Sequence, residues 1–179
     1  RTLISRLADV CPTMPHQGYQ DYFERKLVIS VATTGGMHGK EANPNLPEQP
    51  DEILADLGEC RDAGASIVHL HARDGEGNPT KDPAKFQELA DRIREEYPDL
   101  LVNITTGGPH PPETLIKPVV ETTPAPELAT IDLGPISVVD DRVAENTRDK
   151  NVAFARRMAD AGVKPELEVF SPGHLTESQ

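Results

Sequence analysis

Apolar residues along this chain follow two alternating rhythms. Short runs rich in β-branched residues predict strands at Lys26–Thr33 (KLVISVAT), Ser66–His71 (SIVHLH), Leu100–Thr105 (LLVNIT), Leu128–Leu133 (LATIDL) and Glu166–Phe170 (ELEVF). The fourth run is expected to continue into Ile136–Val139. Between the runs, apolar positions recur at helical spacing. Ile53, Leu54, Leu57 and Cys60 mark a helix over Asp51–Ala63, closed by Gly64. Phe86, Leu89, Ala90 and Ile93 mark a second, capped by Asp82, opened by Pro83 and stopped by Pro98. A third, near Thr114–Glu121, is expected to be short or broken because its segment is interrupted by proline. Val152, Ala155, Met158 and Ala159 mark the fourth, over Asn151–Ala161, with Gly162 as its stop.

Five strands alternating with helices specify an α/β fold of parallel strands joined by crossover helices. Two architectures fit: an open doubly wound sheet, or a (β/α)8 TIM barrel of which this chain holds about the first five βα units. The Gly35-Gly36 pair after the first strand lacks the third glycine of a dinucleotide-binding loop and leads into a proline-rich segment, which argues against a dinucleotide fold. Residues 1–25 are read as an N-terminal extension and residues 26–179 as the α/β domain.

In either architecture the carboxyl ends of parallel strands carry the chemistry. His69 and His71 are two residues apart on a strand, so they share a face, while Val68 and Leu70 share the other. The apolar pair belongs beneath the helices, which turns both imidazoles inward, where they can meet one metal ion. Neutral, hydrogen-bonded interior histidines are the alternative. The fourth strand offers Asp132 and the fifth Glu168. Buried carboxylates are seldom unpaired, so each is either a site residue or a partner for Arg73 or an interior lysine. The turn Thr105-Thr106-Gly107-Gly108 presents hydroxyls and N–H groups suited to an anion, or is simply a tight turn that needs glycine.

Composition narrows the function classes. With 18 basic and 30 acidic residues the formal charge is −12, which excludes a nucleic-acid footprint. No run approaches the roughly 18 apolar residues of a membrane span, and the N-terminus lacks the apolar core of a secretory signal. Two unclustered cysteines, Cys11 and Cys60, suit a reducing compartment, so a cytoplasmic location is expected.

Five blocks, NPNLP, AGASIVHLHARDGEGNPTKDPAKF, LLVNITTGG, PELATIDLG and KPELEVFSPGHL, resemble successive blocks of the β-keto acid cleavage enzymes. The resemblance runs from about Lys26 to Leu175 and is most specific in the His-Leu-His-x-Arg block followed by Thr-Gly-Gly. It implies a (β/α)8 barrel with a divalent metal, commonly zinc. The implied reaction exchanges a β-keto acid with acetyl-CoA to give acetoacetate and a new acyl-CoA. It also implies that His69 and His71 are metal ligands, that Thr105, Thr106, Gly107, Gly108, Thr130 and Asp132 face the substrate, and that Glu168 is an acidic residue of the site. Homo-oligomers are common in such barrels. Met37 stands where the aminohexanoate enzyme carries an acid, which implies a substrate without that enzyme's amino group. The family's third ligand, a Glu, with a nearby Arg and Asp, lies on late strands beyond these 179 residues. A fragment with an open sheet edge is therefore expected to aggregate. Two other readings are an amidohydrolase-type metallohydrolase, which also uses His-x-His, and a non-catalytic fragment that only binds partners.

Overall fold

The computed structural model describes residues 27–137 and 143–178. The expected N-terminal extension, Cys11 and the expected strand end at Val139 lie outside them. The main sheet has five strands: β1 (Ser30–Val31), β2 (Ile67–Leu70), β5 (Leu101–Ile104), β6 (Leu128–Asp132) and β9 (Lys164–Glu168). Four longer helices connect them: α1 (Pro50–Asp62), α2 (Pro83–Glu96), α3 (Pro112–Glu121) and α4 (Arg148–Asp160). Two small hairpins, β3 (Ala72–Arg73) with β4 (Pro79–Thr80) and β7 (Ile136–Ser137) with β8 (Val143–Ala144), rise from the strand ends, and a short α5 (His174–Glu177) follows β9. Among the described residues no helix is long and apolar enough to cross a membrane.

All five strands are parallel and their spatial order follows the chain, β1-β2-β5-β6-β9. A doubly wound sheet reverses direction partway. This one never does, so right-handed crossovers set every helix on one face. The result is a half-barrel: helices outside, strand-end chemistry inside. Val68, Leu70, Val102, Ile104, Ala129 and Ile131 alternate onto the helix side and are all within 2% of complete burial. There they form one cluster with Leu57, Phe86, Ile93, Ile116, Phe154 and Met158. The opposite face carries polar residues in register, His69 beside Asn103, Thr130 beside Glu166, and Asp132 beside Glu168.

Several element boundaries differ from the sequence reading. The fourth helix starts at Arg148, three residues before Asn151, because Thr147 caps it by accepting from Lys150 N–H. The first strand is paired over only two residues, and Leu27 and Val28 are exposed. The third helix is the shortest of the four, as expected, but runs unbroken through Pro118, with Leu115, Ile116 and Val119 buried against the cluster and Thr122 Oγ1 donating to the Pro118 carbonyl at 2.6 Å. Ile136–Ser137 turns into a hairpin instead of extending β6. The last strand starts two residues early, at Lys164. Gly162, at φ +74°, ends α4 within one residue, and Val163 N–H donates to the Met158 carbonyl.

Candidate active site

His69 and His71 turn their rings toward each other at the end of β2. Their Nε2 atoms are 3.1 Å apart and their ring centroids 5.0 Å. Burial holds both imidazoles below their usual range, His71 down to about 3, with further lowering of His71 by His69, Lys81 and Arg73. Both are therefore neutral at pH 7, the form that ligates metals. Two nitrogens at about 2.0–2.1 Å from a common ion lie roughly 2.9–3.4 Å apart at ordinary coordination angles. The pair fits a metal on both spacing and protonation. A Cβ at Gly36 would sit 3.0 Å from His71 Nδ1, so a side chain there would require the ring to shift slightly. Among the described residues no group of three or more His, Cys, Asp or Glu side chains is arranged to hold an ion.

The rings open into a cavity of about 930 Å³ at the carboxyl ends of the strands. Thr105, Gly107, Gly108, Asp132 and Glu168 line it with the two histidines, and Met37 and Phe170 supply apolar wall. Thr106 and Thr130 are not in the lining. They are buried behind it and bond each other: Thr106 N–H donates to Thr130 Oγ1 at 3.1 Å and Thr106 Oγ1 to the Thr130 carbonyl at 2.6 Å. This staple joins the exit of β5 to β6 and fixes where the glycine turn begins. Within the turn, Gly107 N–H donates to Thr105 Oγ1 at 3.2 Å.

Two charged groups in the cavity are far from their ordinary behaviour. Burial pushes the Glu168 carboxyl up to about 8, helped by a hydrogen bond to Asp132 and by repulsion from Asp132 and Glu166. At neutral pH it holds a proton. Burial lowers the Lys81 ammonium to about 8, against the attraction of Asp132.

Arg73 does not pair with Asp132. Its guanidinium is buried and ties two loops together. Nε donates to Thr34 Oγ1 at 3.1 Å, Nη1 to the Gly77 carbonyl at 2.7 Å, and Nη2 to the Gly35 carbonyl at 2.8 Å and to the His38 carbonyl. Glu48 lies 3.9 Å from Nη1. The loop carrying Gly36 and Met37 is thus fastened to the β3–β4 hairpin. The sequence reading left Lys81 unassigned. It follows a hairpin that folds the chain back over the β2 end, and only its place just before the Asp82 cap marks it.

The family model of beta-keto acid cleavage enzymes matches residues 26–179. The chain is 37% identical to the 3-keto-5-aminohexanoate cleavage enzyme of Fusobacterium nucleatum over 150 residues, 84% of this chain and 55% of that one. It is 37% identical to the like-named enzyme of Acetoanaerobium sticklandii over 147 residues, 81% of this chain and 53% of that one. Against the 3,5-dioxohexanoate:acetyl-CoA acetone transferase of Paraburkholderia graminis it is 41% identical over 114 residues, 62% of this chain and 36% of that one. The chain spans about half the length of the first two relatives. A solved structure of ObcA with oxaloacetate superposes at a TM-score of 0.65 and 20% identity, over 75% of this chain and 33% of that one, which shows a shared fold. Because the match takes in the whole parallel sheet and every strand end around the cavity, the chain belongs to the beta-keto acid cleavage enzyme family.

Proposed function

We propose that residues 26–179, after an extension over 1–25, form the first five units of a (β/α)8 barrel that exchanges a β-keto acid with acetyl-CoA. The observation that carries this reading is the neutral His69–His71 pair, 3.1 Å apart, opening into a cavity that also holds a protonated Glu168. The relatives support the reaction class, since one is a 3-keto acid cleavage enzyme and another an acetyl-CoA-dependent transferase. In the exchange the bond between the keto carbon and the CH2COO⁻ group breaks. That group joins the acetyl unit to give acetoacetate, and the coenzyme's sulfur takes the acyl group.

His69 and His71 would hold a divalent ion, zinc or another that accepts imidazole, whose chemistry is to polarise the keto oxygen. The chain's own side chains do the rest. The Thr105–Gly108 turn orients the substrate, with Thr106 and Thr130 bracing it from behind. Glu168, held by Asp132, gives or takes the proton that moves as the C–C bond breaks or forms. Met37 offers no charge to an ammonium, so the acyl part of the substrate is neutral or anionic where it meets that wall.

The test is made on the intact protein loaded with divalent metal. Acetyl-CoA and a panel of β-keto acids should release acetoacetate, and His69→Ala or His71→Ala should strip bound metal. Amide hydrolysis with no dependence on acetyl-CoA, or metal content unmoved by both substitutions, overturns the reading.

A further inference from the structure

Lys81 is the cation of the cavity that the reading above leaves without a task. Among the described residues its Nζ forms no ion pair. Its nearest partners are the Thr105 carbonyl at 3.4 Å and the Phe86 ring, 5.8 Å to the centroid. Both are weak for an ammonium with three donors. Lys40 and Lys85, on the surface, each have a carboxylate partner, Glu52 and Glu88. Lys81 has no carboxylate in contact among the described residues; Asp132, in the same lining, attracts it without an ion-pair contact. A partly buried ammonium whose only carboxylate lies out of contact gains from a closer negative charge.

Its position says what that is. Nζ reaches the carbonyl that opens the Thr105–Gly108 turn, and Lys81 Cε would be 3.4 Å from a Cβ at Gly108. The ammonium therefore stands beside the donor turn, on the same cavity wall system as His69 and His71. Met37, in the same lining, adds no charge.

We infer that Lys81 is the counter-ion this site presents to the carboxylate of its β-keto acid, and so selects the acid over neutral esters and amides of the same shape. This rests on the cavity being a β-keto acid site. It adds a substrate-contacting residue that is separate from the metal pair and from Glu168.

The experiment compares acetoacetate with methyl acetoacetate, its neutral ester, by calorimetric binding to the intact metal-loaded protein without acetyl-CoA. Wild type should prefer the acid. Lys81→Met should weaken acetoacetate binding roughly 10- to 100-fold, the worth of one charge-assisted hydrogen bond, and leave the ester unchanged. Lys81→Arg should restore most of the preference, and Lys81→Gln, which keeps the stem and some polarity, should fall between. In turnover, Lys81→Met should raise KM for the β-keto acid and not KM for acetyl-CoA. Equal weakening of acid and ester would make Lys81 a structural residue and overturn the inference, as would a wild type that does not distinguish the two. If Lys81→Met melts early, the comparison of Lys81→Gln with Lys81→Arg decides the same question. Selective acetoacetate binding with no acyl exchange would defeat the proposed reaction and leave the role of Lys81 standing.

Discussion

At position 36 a single methyl group would sit 3.0 Å from His71 Nδ1. Gly36→Ala is therefore expected to push the imidazole off its line and lower metal affinity roughly 10- to 100-fold, with the far-ultraviolet spectrum unchanged. Competition with a chromophoric chelator measures it, and unaltered affinity would show that the ring has room to give. Glu168 supplies a pH prediction. Its folded value is raised to about 8 from an ordinary 4.5, so the native state binds the extra proton. Its contribution to stability is complete below about pH 4.5 and is lost as pH rises through 8. Metal-free Glu168→Gln should thus melt higher than metal-free wild type above pH 8, the gap closing toward pH 5. Thermal melts across that range check the sign, and a gap that widens toward acid refutes it. The histidine pair was readable in the sequence because a strand's period of two fixes a shared face. Lys81 was not, because its place depends on how a hairpin folds back.

Among the elements, the β3–β4 hairpin and the loop after β1 are joined mainly through Arg73, whose guanidinium meets Thr34, Gly35, His38 and Gly77. Arg73→Met should cost about 2–4 kcal/mol, since it leaves the buried Gly77 carbonyl and Thr34 hydroxyl without their donor. Arg73→Lys should recover little, because an ammonium cannot fork to both loops. Urea unfolding gives the figure, and a loss below about 0.5 kcal/mol would mean that water replaces the clamp. The first two long helices were legible from their apolar stripes; the fourth buries Phe154 and Met158, while Val152 and Ala159, read as part of its stripe, are exposed. Asp82 caps α2 as read, its carboxylate accepting from Ala84 N–H at 3.0 Å. Strand limits were less legible. Apolar runs such as KLVISVAT show what can pair, while pairing itself depends on neighbours, and β1 is bonded over two residues only.

Over the whole molecule, the order β1-β2-β5-β6-β9 leaves β1 and β9 each with one bonded neighbour among the described residues. Leu167 on β9 is 43% exposed and Phe170, just beyond it, 59%. The 179-residue chain on its own is expected to self-associate through this edge, and Leu167→Lys to shift it toward monomer. Sedimentation velocity at several concentrations checks both, and a monomer at every concentration refutes the expectation. The alternation of elements left both open and closed architectures in play. Only the strand order, which depends on pairing between distant segments, removes the doubly wound one. The Arg73 clamp has one more consequence. The loop bearing Met37 hangs from a guanidinium anchored elsewhere, so its shape owes little to the side chain at position 37 itself. Under the proposed exchange, acyl preference would then diverge one codon at a time at that wall, while the imidazoles stay in place.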